Sequence, residues 1–181
     1  MVEAYGKDRG IPYVLVRPGA VYGPGKAGIT GRVGLGTFGI FLHLGGGNKI
    51  PFTYVDNCAD AIVLAGLVKG VDGEVFNVVD DDLPTSRRFL RLYKREAKHF
   101  YSIPMPRPFS YLFCYLWEKY SAWSHGQLPP AFNRLAWHAY WKGSLPVNDK
   151  IKDRLGWRQR VPTADGLKAL FASRRPENQH A

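Results

Sequence analysis

The chain has 181 residues, 45% hydrophobic and 22% charged, with a formal net charge of +10. That length supports one domain with a real core, and no low-complexity tract or repeat points to a fibrous or disordered chain. Two cysteines without a CxxC and five histidines without ligand spacing predict no metal site.

Met1 to Arg9 reads as the end of a helix, closed by Gly10 in the C′ position. Tyr13 to Val16 is an apolar, largely β-branched run and predicts a buried strand. Arg17-Pro18 is expected to stop it, because proline donates nothing to a ladder. A loop rich in Gly19, Gly23, Pro24 and Gly25 follows, and such a strand exit is a candidate ligand rim in an open α/β sheet. Gly34-Leu35-Gly36-Thr37-Phe38-Gly39 matches G-x-G-x-x-G, with Asp56 about twenty positions on. The residues before it make a poor strand, so the preferred expectation is a mobile loop and a short helix, Phe38 to Leu44, over a substrate pocket.

Ile50 to Val55 reads as extended, with Asp56 capping a helix from Asn57 to Lys69 whose apolar side is Ala61, Ile62, Ala65 and Val68. Cys58 there, and Cys114 later, each lie in an apolar helical pattern and read as buried thiols of a reducing cytoplasm. Glu74 to Val79 alternates as a strand and runs out into a polar turn, Asp80-Asp81-Asp82. Thr85 or Ser86 then caps a helix to about Lys98. Phe89, Leu92, Tyr93 and Ala97 form its apolar face, and Arg87, Arg91, Lys94, Arg95 and Lys98 its basic one. Phe109, Leu112, Phe113, Leu116, Trp117, Tyr120 and Trp123 recur at helical spacing. This reads as core for a small lobe, with a greasy pocket lining or a helix lying on a membrane surface as the alternatives. Pro129-Pro130 opens a helix to about Trp141. Asn148 caps a short one ending at Leu155-Gly156, and Thr163 caps the last.

Gly10 to Gly25 (GIPYVLVRPGAVYGPG) resembles the segment that follows the catalytic helix in extended short-chain dehydrogenases/reductases, the NAD(P)-dependent epimerase/dehydratase family. Phe52-Thr53-Tyr54-Val55-Asp56-Asn57-Cys58-Ala59-Asp60-Ala61 is similar to that family's second landmark. Leu155-Gly156-Trp157, followed by Val161-Pro162-Thr163 and Gly166-Leu167, is similar to its C-terminal signature. By this resemblance the fold is α/β: the C-terminal part of a Rossmann-like doubly wound fold plus a small, mainly helical substrate-binding lobe. The N-terminal cofactor half is absent, since the glycine-rich phosphate loop and the catalytic Tyr-x-x-x-Lys would lie upstream of Met1. Tyr5 does not restore the latter, because Arg9 stands four residues on.

The resemblance divides the chain into the end of the Rossmann-like part (1–28), a substrate-lobe loop and short helix (29–55), and a helix and strand returning to the main sheet (56–84). The substrate-binding lobe (85–172) and a flexible tail (173–181) complete it. Backbone of Pro18, Gly19, Ala20 and Val21 is expected to face the nicotinamide of NAD or NADP. Tyr22, Lys49, Phe52, Tyr54, Phe109 and Phe113 are the expected substrate-binding residues, and no catalytic residue is expected in this chain. Ala20 and Lys49 stand where sugar-nucleotide enzymes of the family carry Asn and Arg, and neither replaces a hydrogen-bonding amide or a forked guanidinium. Tyr54-Val55-Asp56-Asn57 and the aromatic Phe109 to Trp123 stretch instead resemble the 3β-hydroxysteroid dehydrogenase-like branch, whose substrates are apolar alcohols and ketones.

The expected function is thus the substrate-binding portion of an NAD(P)-dependent oxidoreductase for a secondary alcohol or ketone of a steroid- or lipid-like substrate. The alternatives are a nucleotide-sugar epimerase/dehydratase fragment and a non-catalytic cofactor- or lipid-binding module. Expected partners are a small apolar or sugar-type molecule and no nucleic acid. Membrane-surface contact and a homodimer of the longer protein stay open. A cytoplasmic location is expected from the buried, unpaired cysteines, with membrane association left open.

Overall fold

A computed structural model of the chain describes residues 2–25, 29–37, 39–124, 133–143 and 145–173. In chain order the elements are α1 (Val2–Arg9), β1 (Leu15–Pro18), β2 (Ala20–Tyr22), β3 (Gly34–Thr37), β4 (Ile40–His43), β5 (Phe52–Tyr54) and α2 (Val55–Leu67). They continue with β6 (Val75–Val78), α3 (Ser86–Glu96), β7 (Ser102–Pro104), α4 (Arg107–Trp123), α5 (Arg134–Tyr140), α6 (Asp149–Leu155) and α7 (Thr163–Ala172). The chain forms two units. Unit one comprises Met1–Lys26, Pro51–Leu83 and Pro146–Pro176; unit two comprises Ala27–Ile50, Pro84–Leu145 and Glu177–Ala181.

In unit one, β1 pairs with β6 in parallel, from Leu15↔Val75 to Pro18↔Val78. The predicted strand therefore starts two residues late and runs through Pro18 instead of stopping before it. The hydrogen bonds explain why proline fits: the amides of Leu15 and Gly19 donate to Glu74 and Val78 (both 2.9 Å), so odd positions face β6 and position 18 faces away. A second parallel pair, β2 with β5, runs from Ala20↔Phe52 to Tyr22↔Tyr54. The core joins Ala61, Phe76, Val78, Ile151 and Trp157, all buried. Gly156 takes φ +66° and ends α6, letting Trp157 turn back into the cluster that holds Ile151.

Three predicted caps in unit one do not form. Helix α2 starts at Val55, with Tyr54 at the cap position, so Asp56 sits inside the first turn. The Asn148 side chain is drawn to Val79 O (2.8 Å) and Asp81 Oδ1 (2.7 Å), and Thr163 is already the first residue of α7. On α2 the inward residues are Asn57, Cys58, Ala61 and Ala65, while Ile62 is 55% exposed. Its expected place on the buried side is one residue out of phase.

In unit two, β3 pairs antiparallel with β4, and β4 pairs in parallel with β7. The expected short helix over 38–44 does not form. The Gly-x-Gly-x-x-Gly run is a strand and its turn, not a phosphate loop: Gly39 takes φ +75° at the turn, and a Cβ at Gly34 would lie 1.9 Å from Leu42 O. Helix α3 is capped by Thr85, whose Oγ1 accepts from Arg88 N at 3.2 Å. Asn133 caps α5 through Oδ1, 2.6 Å from Ala136 N; the predicted start at Pro129-Pro130 lies outside the described residues. Helix α4 carries the aromatic stretch, but its buried residues are Ser110, Cys114 and Ser121. Cys58 and Cys114 are buried free thiols, and burial pushes Cys114 up to about 11.

Candidate functional site

The predicted ligand rim is built around Gly19, where the chain leaves one parallel ladder for the other. The Gly19 N–H donates to Val78 O (2.9 Å) and Thr53 Oγ1 (3.1 Å), and Thr53 Oγ1 donates to Val78 O (2.6 Å). Ala20 N donates to Pro51 O at 2.6 Å, and a Cβ on Gly19 would lie 2.1 Å from that same oxygen. Only glycine lets the two strands approach this closely. The donors at positions 19 and 20 are thus committed inside the fold. Pro18, exposed, has no N–H, and its carbonyl lies on the side away from β6. At Pro18 the turn has a carbonyl acceptor directed away from β6, while the N–H groups of Gly19 and Ala20 point inward.

Just past β6 lies Asp80, 1% exposed, in the place read from sequence as a polar turn. Its carboxylate accepts from Tyr54 N (3.1 Å), Asn57 Nδ2 (3.0 Å) and Tyr22 Oη (3.0 Å). Among the described residues no cation pairs with it. Burial pushes its pKa up, opposed by the bonds from Asn57, Tyr54 and Tyr22. Burial also holds the Tyr22 phenol well above its ordinary value, reinforced by the Asp80 charge. Asn57 uses its whole hydrogen-bonding capacity: Nδ2 also donates to Val161 O (2.9 Å), and Oδ1 accepts from Arg160 N (3.2 Å) and Val161 N (2.9 Å). The second landmark and the C-terminal signature are thereby bolted together through one side chain. The sequence signal for Asp80 was its place after an alternating strand, which does not distinguish a turn from a buried strand end.

Unit two holds an open cavity of about 520 Å³. Leu35, Ile40, Phe41, Tyr93 and Phe100 make its apolar walls, and Lys98 is its cation. Beside it Lys94 donates to Ser102 Oγ (2.6 Å) and lies 5.2 Å from the Phe100 ring centroid. His43 and Ser86 are both buried and 3.0 Å apart (Nε2 to Oγ); burial, then Arg87 and Lys94, hold the imidazole below its ordinary value.

Residues 1–78 match the family model described as NAD dependent epimerase/dehydratase family. No curated protein matched the sequence. Among solved structures, UDP-glucuronic acid 4-epimerase from Bacillus cereus, in complex with UDP-glucuronic acid and NAD, is 18% identical with a TM-score of 0.63, over 94% of this chain and 47% of that one. UDP-glucose 4-epimerase from Thermotoga maritima is 23% identical with a TM-score of 0.58, over 95% of this chain and 48% of that one. dTDP-glucose 4,6-dehydratase from Bacillus anthracis is 15% identical with a TM-score of 0.60, over 94% of this chain and 47% of that one. The fold is therefore the α/β, Rossmann-like fold of epimerase/dehydratase structures. The chain spans about half the length of the solved structures it matches.

The epimerase/dehydratase match covers Pro18, Gly19, Ala20, Val21, Tyr22, Lys49, Phe52 and Tyr54 and stops short of Phe109 and Phe113. Unit one contains Pro18 to Tyr22 with Phe52 and Tyr54; unit two contains Lys49, Phe109 and Phe113. Tyr22, Phe52 and Tyr54 are core residues, 3%, 2% and 7% exposed, with ring centroids 4.8 Å (Tyr22–Phe52) and 5.4 Å (Tyr22–Tyr54) apart. Lys49 is exposed beside Asn48, whose side chain holds Trp141 O (2.6 Å) and Arg107. Phe109 is 65% exposed, and Phe113 stacks on Trp117 at 5.8 Å. None of these residues lines the unit-two cavity, and Lys98, which does, stood in the sequence only as part of a basic helix face.

Proposed function

We propose that this chain supplies cofactor- and substrate-holding walls of an NAD(P)-dependent epimerase or dehydratase of nucleotide sugars. The observation that carries the reading is the family match over residues 1–78, which takes in both strand exits of unit one. In this reading Pro18 to Val21 hold the nicotinamide end of NAD or NADP. The exposed Pro18 carbonyl accepts from a carboxamide, while Gly19 and Ala20 fix its position with their own inward bonds. When bound, the dinucleotide supplies hydride exchange with a secondary alcohol carbon.

Proton transfer falls to no residue of the unit-one cluster. Tyr22 is buried, donates to Asp80 and stays protonated, and Asp80 is sealed from solvent. Ala20 brings no side-chain hydrogen bond to a sugar. One observation favours the second reading, an apolar alcohol or ketone substrate: the mostly apolar lining of the unit-two cavity.

Saturation-transfer NMR on the 181-residue chain separates the two, using UDP-glucose in one sample and a hydroxysteroid in another. Saturation of the uridine and glucosyl protons is expected. Saturation of the steroid alone replaces this reading with the second; saturation of neither removes both.

A further inference from the structure

Helix α4 is built inside out. At 100° per residue, Phe109, Leu112, Leu116, Tyr120 and Trp123 fall within an arc of roughly 80°. They are 65%, 51%, 56%, 51% and 74% exposed, whereas the residues the helix buries are Ser110, Cys114 and Ser121. Lys119, exposed, lies at one margin of this arc. A 17-residue helix is about 25 Å long, so the stripe forms a continuous apolar strip rather than scattered side chains.

The charge is segregated onto the same unit. Segments 27–50 and 84–145 carry twelve lysines and arginines against two glutamates, while the rest of the chain balances at thirteen of each sign. These two segments, the bulk of unit two, therefore carry a net charge of +10, equal to that of the whole chain. Both glutamates are already paired, Glu96 with Arg95 (2.7 Å) and Glu118 with Arg134 (3.1 Å). A nucleotide diphosphate would offset only about two of these charges. A second copy laid on the stripe would bring an equal excess of like charge towards the first, which opposes association; an anionic surface is drawn to it. Among the described residues no helix is long and apolar enough to cross a membrane.

We infer that unit two docks on an anionic lipid surface, with α4 lying in the headgroup region and its Phe109–Trp123 stripe facing the acyl chains. Tyr120 and Trp123 suit that depth because each pairs an apolar body with a polar tip, and Lys119 can extend from the margin of the stripe to the phosphates. The inference does not depend on which substrate the chain binds.

Co-sedimentation of the 181-residue chain with vesicles is the test, using equal parts phosphatidylglycerol and phosphatidylcholine in one arm and phosphatidylcholine alone in the other. The expected result is partition onto the anionic vesicles that weakens with added salt. Leu112→Asp with Leu116→Asp should reduce it by about tenfold or more. Both positions are more than half exposed, so circular dichroism and melting should match the parent. Brominated lipid should quench the parent more than Trp123→Phe. No partition of the parent onto anionic vesicles, or equal partition of the double variant, overturns the inference. So does a parent dimer in light scattering without lipid that the double variant converts to monomer, since a second copy would then cover the stripe.

Discussion

Asn57→Asp tests the buried cluster most directly. The substitution keeps the shape of the side chain and removes both Nδ2 donations, to Asp80 Oδ1 (3.0 Å) and Val161 O (2.9 Å), at about 1 kcal/mol each. It also sets a carboxyl about 3 Å from the Asp80 carboxyl; at an effective dielectric of about 20, two full charges there repel by about 5 kcal/mol. Retaining one proton limits that cost. Holding a carboxyl of ordinary pKa near 4 protonated at pH 7 takes about 4 kcal/mol. By either route, with the lost donations included, the variant should lose about 5–7 kcal/mol at pH 7, against a total of about 5–15 kcal/mol for a domain.

The sign with pH follows from the raised folded-state pKa. An acid whose pKa is higher in the folded than in the unfolded state favours folding most below its unfolded value, and that contribution is lost as pH rises through the folded one. The loss should therefore shrink to about 2–3 kcal/mol at pH 5. The parent should show the same trend more weakly through Asp80, whose pKa burial already raises. Urea unfolding at both pH values, with Asp80→Asn added in a double-mutant cycle, measures the coupling. A cost of Asn57→Asp under about 1 kcal/mol at pH 7, an unchanged cost at pH 5, or no recovery on adding Asp80→Asn would refute repulsion within the buried cluster.

Gly19→Ala should cost about 2–4 kcal/mol in urea unfolding, because its Cβ would meet Pro51 O at 2.1 Å and disturb the 2.6 Å bond that oxygen accepts. In the Gly-x-Gly-x-x-Gly run, Gly34→Ala should be destabilising by a similar amount, since Leu42 O lies 1.9 Å from the new Cβ. Gly36→Ala should stay within about 0.5 kcal/mol, because the nearest side-chain atom is 4.0 Å away. A phosphate loop would not sort its glycines by facing-strand contact in this way, so equal tolerance of the two would count against the hairpin. Cys58 and Cys114 should resist a thiol reagent in the native chain and react on addition of urea, since both are buried and burial raises both thiols. Rapid native labelling of either would mean that its helix face opens.

Local chemistry made much of this chain legible from its residues. Gly10 and Gly156 end their helices with positive φ, and Thr85 caps α3, because each effect acts within a turn or two of the backbone. The apolar run at 13–16 and the alternating one at 74–79 located β1, two residues early, and β6 for the same reason, and the landmarks at 10–25 and 52–61 carried the family resemblance. Long-range contacts decided the rest. Asn148 has a capping residue's chemistry, but Val79 O and Asp81 lie within its reach and take the side chain. Asp80 looks like a turn residue until Tyr22, Tyr54 and Asn57, drawn from distant segments, close over it. Periodicity showed that α4 has an apolar stripe but not which way it faces, since helical spacing is the same for a buried stripe and an exposed one. The charge excess was plain as a total; that it belongs to one unit depends on which segments fold together, which only tertiary contacts determine.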